Sequence, residues 1–256
     1  MKQLITTIAM LISLASFGQD TLKLNAPREF KRFLIGINIS PDYCYRTLES
    51  TTGSSISNSI IDWRNESEEF KIGYTAGLNF CYNISKNFGI ESGVQYSNKG
   101  FALSASNFTY AEMIDPRYGF TYPTNGTLGP KKVKFIDNYH YLDVPVRAIF
   151  SFGEKRISFV ASIGVTTNIL INATQTNVFE YENGDTKRNT VDQPNDYNPI
   201  NLTPTFSVGI DYKISKKINL RIEPTFRYGL LKIIDTPVTA YLWNGGLNIT
   251  GYYAIK

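Results

Sequence analysis

Histidine is almost missing from this chain of 256 residues, which contains one, and cysteine and methionine are scarce at two and three. A zinc centre needs three or four ligands and a hydrolytic triad needs a base. Either would have to be built on His140, with neither cysteine near it in sequence. No GxSxG, HExxH, P-loop or GxGxxG pattern occurs, which removes the activities that announce themselves by such motifs. Beyond the N-terminus no apolar run reaches the roughly 18 residues of a membrane helix, so if this chain enters a bilayer it must do so as strands. Charge of one sign is lacking too. With 26 Lys and Arg against 22 Asp and Glu the net charge is +4, and no basic run marks a nucleic-acid surface. No feature implies a cofactor.

What is present begins with a leader. Lys2, the apolar stretch Leu4 to Phe17, and the small residues Ser16 and Gly18 stand in the order of a secretory signal, predicting cleavage before Gln19. The reading divides the chain into a signal at 1–18, a periplasmic segment at 19–32 and one domain at 33–256. Within that domain apolar and polar residues alternate with the period of a strand, most plainly from Phe70 to Ile84. The alternation returns at Phe33 to Ser40, Phe88 to Ser97, Tyr141 to Phe152, Ile157 to Ile169, Leu202 to Ile214, Ile218 to Tyr228 and Leu242 to Ile255, which makes eight strands in all. Tight turns at 85–87, 153–156 and 215–217 alternate with long polar connections at 46–69, 98–140, 170–201 and 229–241, and no helix is expected. Short turns on one side and long loops on the other are the pattern of bacterial outer-membrane barrels. The expected fold is therefore all-β, a single closed antiparallel up-and-down transmembrane barrel.

Alternation does not say which face meets lipid, but size and charge do. Lys71, Glu91, Asp143, Arg147, Asp211, Lys213, Arg221, Glu223 and Arg227 share one face with most of the strand glycines, and the opposite face carries Phe, Tyr, Ile, Leu and Val. The interior of an eight-stranded barrel is only wide enough to be filled by side chains, so the small and charged face goes inside. An exterior that apolar needs lipid, because soluble proteins seldom expose apolar patches beyond a few hundred Å². A lipocalin-like barrel would require the reverse. On this map Cys44 and Cys81 fall at opposite ends of neighbouring strands, too far apart for a disulfide. Pro145, Pro204 and Pro224 fall inside expected strands and predict bulges or bends.

Three segments resemble a known group. Gly89 to Gly100 (GIESGVQYSNKG), Tyr141 to Val146 (YLDVPV) and Glu223 to Leu230 (EPTFRYGL) are similar to strand signatures of the PorT-like outer-membrane β-barrel family of Bacteroidota, in the family's order and across roughly 33–256. Barrels of that family often end in Phe, whereas this chain ends Ile255-Lys256. The resemblance implies an outer-membrane barrel and a link to type IX protein secretion, the role of the family's namesake. It implies no catalytic residue.

The candidate site is the set of inward charges Glu91, Asp143, Arg147, Asp211, Arg221, Glu223 and Arg227, in which opposite signs recur at similar depth. It reads either as a charged constriction or catalytic group, or as an ion-pair plug. The plug is favoured because an unpaired buried charge costs several kcal/mol. His140, between Tyr139 and Tyr141, fits an interfacial aromatic girdle. Loops 46–69 and 170–201 each carry two basic and five acidic residues, while 98–140 is net +2. The expected function is a monomeric, non-enzymatic outer-membrane anchor, touching lipid and lipopolysaccharide, whose outer loops bind a partner or serve envelope or secretion roles. The alternatives are a small porin-like channel and an outer-membrane hydrolase or acyltransferase.

Overall fold

The computed structural model describes residues 30–106, 130–153, 156–193 and 196–255, so the expected signal at 1–18 and most of 19–32 lie outside the described residues. In chain order the elements are β1 (Phe33–Ser50), α1 (Ser55–Ser67), β2 (Glu68–Glu69), β3 (Lys71–Asn83), β4 (Phe88–Ser106), β5 (Lys132–Phe152), β6 (Ile157–Glu180), β7 (Thr186–Asp192), β8 (Ile200–Lys213), β9 (Ile218–Tyr228) and β10 (Val238–Ala254). All ten strands belong to one antiparallel sheet. Eight of them close into a ring: β1 pairs β3, then β4, β5, β6, β8, β9 and β10 follow, and β10 returns to β1 from Leu34↔Ala254 to Ser50↔Val238. The other two are accessories. β7 folds back on the outer half of β6, and β2 pairs with β4 just beyond the end of β3.

The side chains divide as the strand pleat requires. Glu91, Asp143, Arg147, Asp211, Arg221, Glu223 and Arg227 are buried, while Phe80, Val146, Ile163 and Phe206 are 51%, 56%, 59% and 55% exposed and form part of a continuous apolar exterior. Aromatic pairs rim this band at both ends, Phe33 with Tyr82 and Phe88 with Phe150 at the short turns, Tyr43 with Phe70 and Phe226 with Trp243 at the outer side. The short turns are locally encoded. Ser85 Oγ accepts from the backbone N–H of Asn87 and Phe88, and Ser215 Oγ accepts in the same way from Lys217 and Ile218.

Three features depart from the expectation. The strands are longer: β4 has 19 residues, β5 21 and β6 24, where a membrane-crossing strand needs about 9–11. Much of what reads as loop at 98–140 and 170–201 is therefore strand, projecting past the outer aromatic rim. A helix exists where none is expected: α1 occupies 55–67, N-capped by the Ser54 side chain, which accepts from Ser57 N–H. A bulge also interrupts the β5–β6 ladder, because His140 pairs with Asn172 but Tyr141 pairs with Leu170, leaving Ile171 as an extra residue.

The prolines sit at gaps in the ladders. Each keeps a partner on one side and lacks one on the other: Pro145 pairs with Thr166 but is skipped in the β4–β5 ladder, Pro224 pairs with Leu247 but is skipped in β8–β9, Pro41 pairs with Tyr74 but is skipped in β1–β10, and Pro204 pairs with Val165 where the β8–β9 ladder stops at Thr205. A proline has no N–H to donate, so the ladder lapses there without leaving an orphan donor in lipid.

Replacing Ile163 with Arg sets a charge on the lipid face of β6. It is expected to lower the folding free energy in liposomes by roughly 2–4 kcal/mol, the cost of Arg near the bilayer midplane, measured by urea titration. A variant as stable as the parent would place this face away from lipid.

Candidate functional site: the filled bore

The interior is stacked in layers, which the short-turn end opens with a small apolar cluster of Leu34, Cys81, Tyr252 and Ala254. Above it lies the densest charge network. Glu91 on β4 stands directly across the ladder from Arg147 on β5 and accepts from it, with Arg147 Nε at 3.2 Å. Arg221 reaches from β9 across the bore to Glu91 Oε2 and beside itself to Asp211 Oδ2, both at 3.2 Å. Glu223 lies 3.6 Å from Arg147 and accepts from Ser207 Oγ at 2.8 Å. The Tyr252 hydroxyl donates to Glu91, and the Arg221 guanidinium rests 4.6 Å from the centre of its ring. Asn79 donates to Glu91, Gln95 donates to Asn79, and Ser162 pairs with Ser207. Five of the seven predicted residues thus meet in one cluster drawn from β4, β5, β8 and β9.

The other two are held a layer further out by partners absent from the predicted set. Asp143 pairs with Lys99 at 3.2 Å and accepts from Asn168 at 2.6 Å. Arg227 pairs with Asp42 at 3.1 Å, and Asp42 also accepts from Ser40 and Thr75. Gly246 makes that pair possible, since a Cβ there would stand 1.9 Å from Asp42 Oδ1. Sequence reasoning missed Asp42 because it follows Pro41, beyond the expected end of β1, and missed Lys99 because it reads as loop. The signal that could have found both is the inward parity of 34–46 and 89–99 carried on past Ser40 and Ser97.

The outer mouth is closed by different chemistry. Arg46 donates to Glu68 at 2.7 Å, to Asn65 at 2.6 Å and to the Arg64 carbonyl near the C-terminus of α1, tying the helix over the opening. Arg64 pairs with the same Glu68. Beneath them Phe101, Tyr139, Tyr141, Ala173, Ile233, Ala240 and Leu242 form a buried apolar cluster, so an oily layer separates the charge network from the outside. On the outer projection the Lys134 ammonium and the Ser104 hydroxyl, at 2.5 and 2.7 Å, hold the Glu69 carboxyl below its ordinary pKa.

His140 stays apart from all of this. Its ring stacks on Tyr96, with Nδ1 beside the Tyr96 hydroxyl, Asn98 at 3.3 Å and Thr174 Oγ1 3.5 Å from Nε2. Cys44 and Cys81 are free and buried, ten residues apart along the β1–β3 ladder, about 33 Å at strand rise. Among the described residues no three His, Cys, Asp or Glu side chains are grouped to hold a metal ion.

A closed eight-stranded barrel with a lipid-facing apolar band and a bore filled by paired charges is an outer-membrane barrel. The chain belongs to the outer membrane protein beta-barrel domain family, whose model matches residues 17–235. No curated protein sequence matches it. Among solved structures it is similar to the outer membrane protein OprG of Pseudomonas aeruginosa, with 8% identity, a TM-score of 0.45, and coverage of 89% of this chain and 99% of that one. The attachment invasion locus protein Ail of Yersinia pestis gives 10% identity and a TM-score of 0.35 over 87% and 99% of the two chains. The outer membrane protease OmpT of Escherichia coli gives 9% and 0.43 over 88% and 97%.

Removing one buried partner strands the others. Arg221→Ala leaves Glu91 and Asp211 without it and is expected to cost about 3–5 kcal/mol. Adding Asp211→Asn to that variant should recover part of the loss. A double-mutant cycle read by urea titration measures the coupling, and a value near zero would mean the pair does not act together.

Proposed function

We propose that this protein is a non-enzymatic outer-membrane anchor that presents a structured outer platform to a partner at the cell surface. The observation that carries this reading is on α1. Ile56, Ile60 and Trp63, spaced i, i+4, i+7, lie on one face of the helix tied over the mouth, and they are 73%, 43% and 40% exposed. Large apolar side chains grouped on an exposed face are the composition of a binding surface, and Trp is a frequent anchor in such surfaces. The layered interior supports an anchor over a channel, because ion pairs and an apolar cluster occupy the bore at successive depths. The groups gathered around the His140 ring, Tyr96, Asn98 and Thr174, are neutral, which suits a girdle position better than the base of a hydrolase or acyltransferase. The PorT-like resemblance adds an envelope or protein-secretion setting, with lipid and lipopolysaccharide around the barrel, and the protein acting as a monomer.

Crosslinking on intact cells followed by pull-down is expected to recover a partner with the parent chain and to lose it with Trp63→Ser and Ile60→Ser together, while the amount of folded barrel stays the same. Recovery unchanged by these substitutions would remove α1 from the contact. Planar-bilayer recordings of the purified barrel are expected to show no conductance steps. Steps that change in Arg147→Gln would favour the channel instead.

A further inference from the structure

The lipid-facing wall carries a dent where β3, β1, β10 and β9 run side by side. Pro41, Tyr43, Ile72, Pro224, Gly245 and Leu247 frame a groove of about 420 Å³ there, next to the outer aromatic rim. Gly245 is its floor, and a Cβ at that position would meet nothing within 4 Å. Tyr43 stands across the ladder from Gly245 on β1 and Phe226 on β9. Trp243 lies two residues further out on the same face of β10, its ring centre 6.4 Å from that of Tyr43 and 6.1 Å from that of Phe226. Three rings therefore wall the outer side of the groove, which runs past Leu247 toward the bilayer centre. Asp42, behind the floor, is buried and already paired with Arg227.

The groove also holds an unmet backbone acceptor. On β10 the even residues bond to β9 and the odd ones to β1, as the bonds from Gly229 N–H to the Leu242 carbonyl and from Ile255 N–H to the Phe33 carbonyl show. Leu247 thus directs its N–H and carbonyl at Pro41, which continues the register between Ile39↔Ile249 and Asp42↔Gly246. The Pro41 carbonyl can accept, but its ring nitrogen has no hydrogen to return, so the Leu247 carbonyl loses its ladder donor. Bilayer hydrocarbon supplies no water to take that place. An occupant of this groove has to be apolar along its length, and it gains by carrying one donor. We infer that the groove binds one acyl chain of an outer-leaflet lipid, with a hydroxyl group on the chain donating to the Leu247 carbonyl. Acyl chains are the solvent at this depth, and the hydroxyl is what distinguishes the bound chain from its neighbours. The inference does not rest on the platform at α1.

Trp243 is the reporter, because Trp63→Phe leaves it as the only tryptophan of the chain. In liposomes of phosphatidylcholine with brominated chains, a brominated chain in the groove quenches Trp243, and an unbrominated chain that displaces it restores the fluorescence. Myristate is compared with its 3-hydroxy and 7-hydroxy forms. Saturable recovery is expected, with one hydroxy form acting at about a tenfold lower mole fraction than myristate, the worth of one hydrogen bond. Pro41→Ala returns an N–H to the Leu247 carbonyl and is expected to make the three acids equal. Gly245→Leu sends a side chain into the open dent and is expected to abolish saturable recovery. Recovery that rises with mole fraction without saturating, or that is unchanged in Gly245→Leu, overturns the site. Hydroxy forms no better than myristate, or an advantage that survives Pro41→Ala, overturn the bond to Leu247.

Discussion

In hydrocarbon a backbone N–H or C=O without a partner costs several kcal/mol, and the pairing of β10 with β1 removes the last free edge of the eight-stranded ring. Much else follows from that closure. Eight strands give a bore just wide enough for side chains, so the inner face must be small and polar enough to pack while the outer face must dissolve in lipid. Gly246 and Gly164 show how tight the fit is, since a Cβ at Gly164 would stand 2.2 Å from the Val146 carbonyl and 2.7 Å from Arg147 Cα. Charges sent into so narrow a space have to meet, and Glu91 satisfies two arginines and a tyrosine at once.

Ring closure is also why the membrane part of the fold was legible in the sequence. The pleat and the lipid together impose a strict period of two on residues such as Phe70 to Ile84, and the charges fall on one parity because only one side excludes lipid. Above the membrane that selection stops. In β4 residues 97–103 are all buried, and in β6 the extra residue Ile171 shifts the pleat by one, so neither stretch reads as alternation. α1 escaped for a related reason. Its sequence, SISNSIIDWRNES, is polar and rich in serine, and what fixes it is Arg46 gripping its C-terminal end from inside the preceding strand.

The site was legible in membership and not in pairing. Inward parity found Glu91, Arg147, Asp211, Arg221 and Glu223, which the structure gathers into one cluster. Which acid faces which arginine depends on the stagger of the ring. Contacts such as Arg221 with Glu91, 130 residues apart in the chain, have no local signature.

The two buried thiols give the bore a built-in depth gauge. Cys81, in the apolar cluster at the periplasmic end, stands across the β3–β4 ladder from Glu91, and Cys44 lies ten residues further out beside the Asp42 layer. A small thiol reagent entering from the periplasm meets Cys81 after displacing one thin layer, and it reaches Cys44 only by passing every ion pair between them. The order in which the two become labelled therefore reports how far the interior opens, with no foreign probe placed in the barrel.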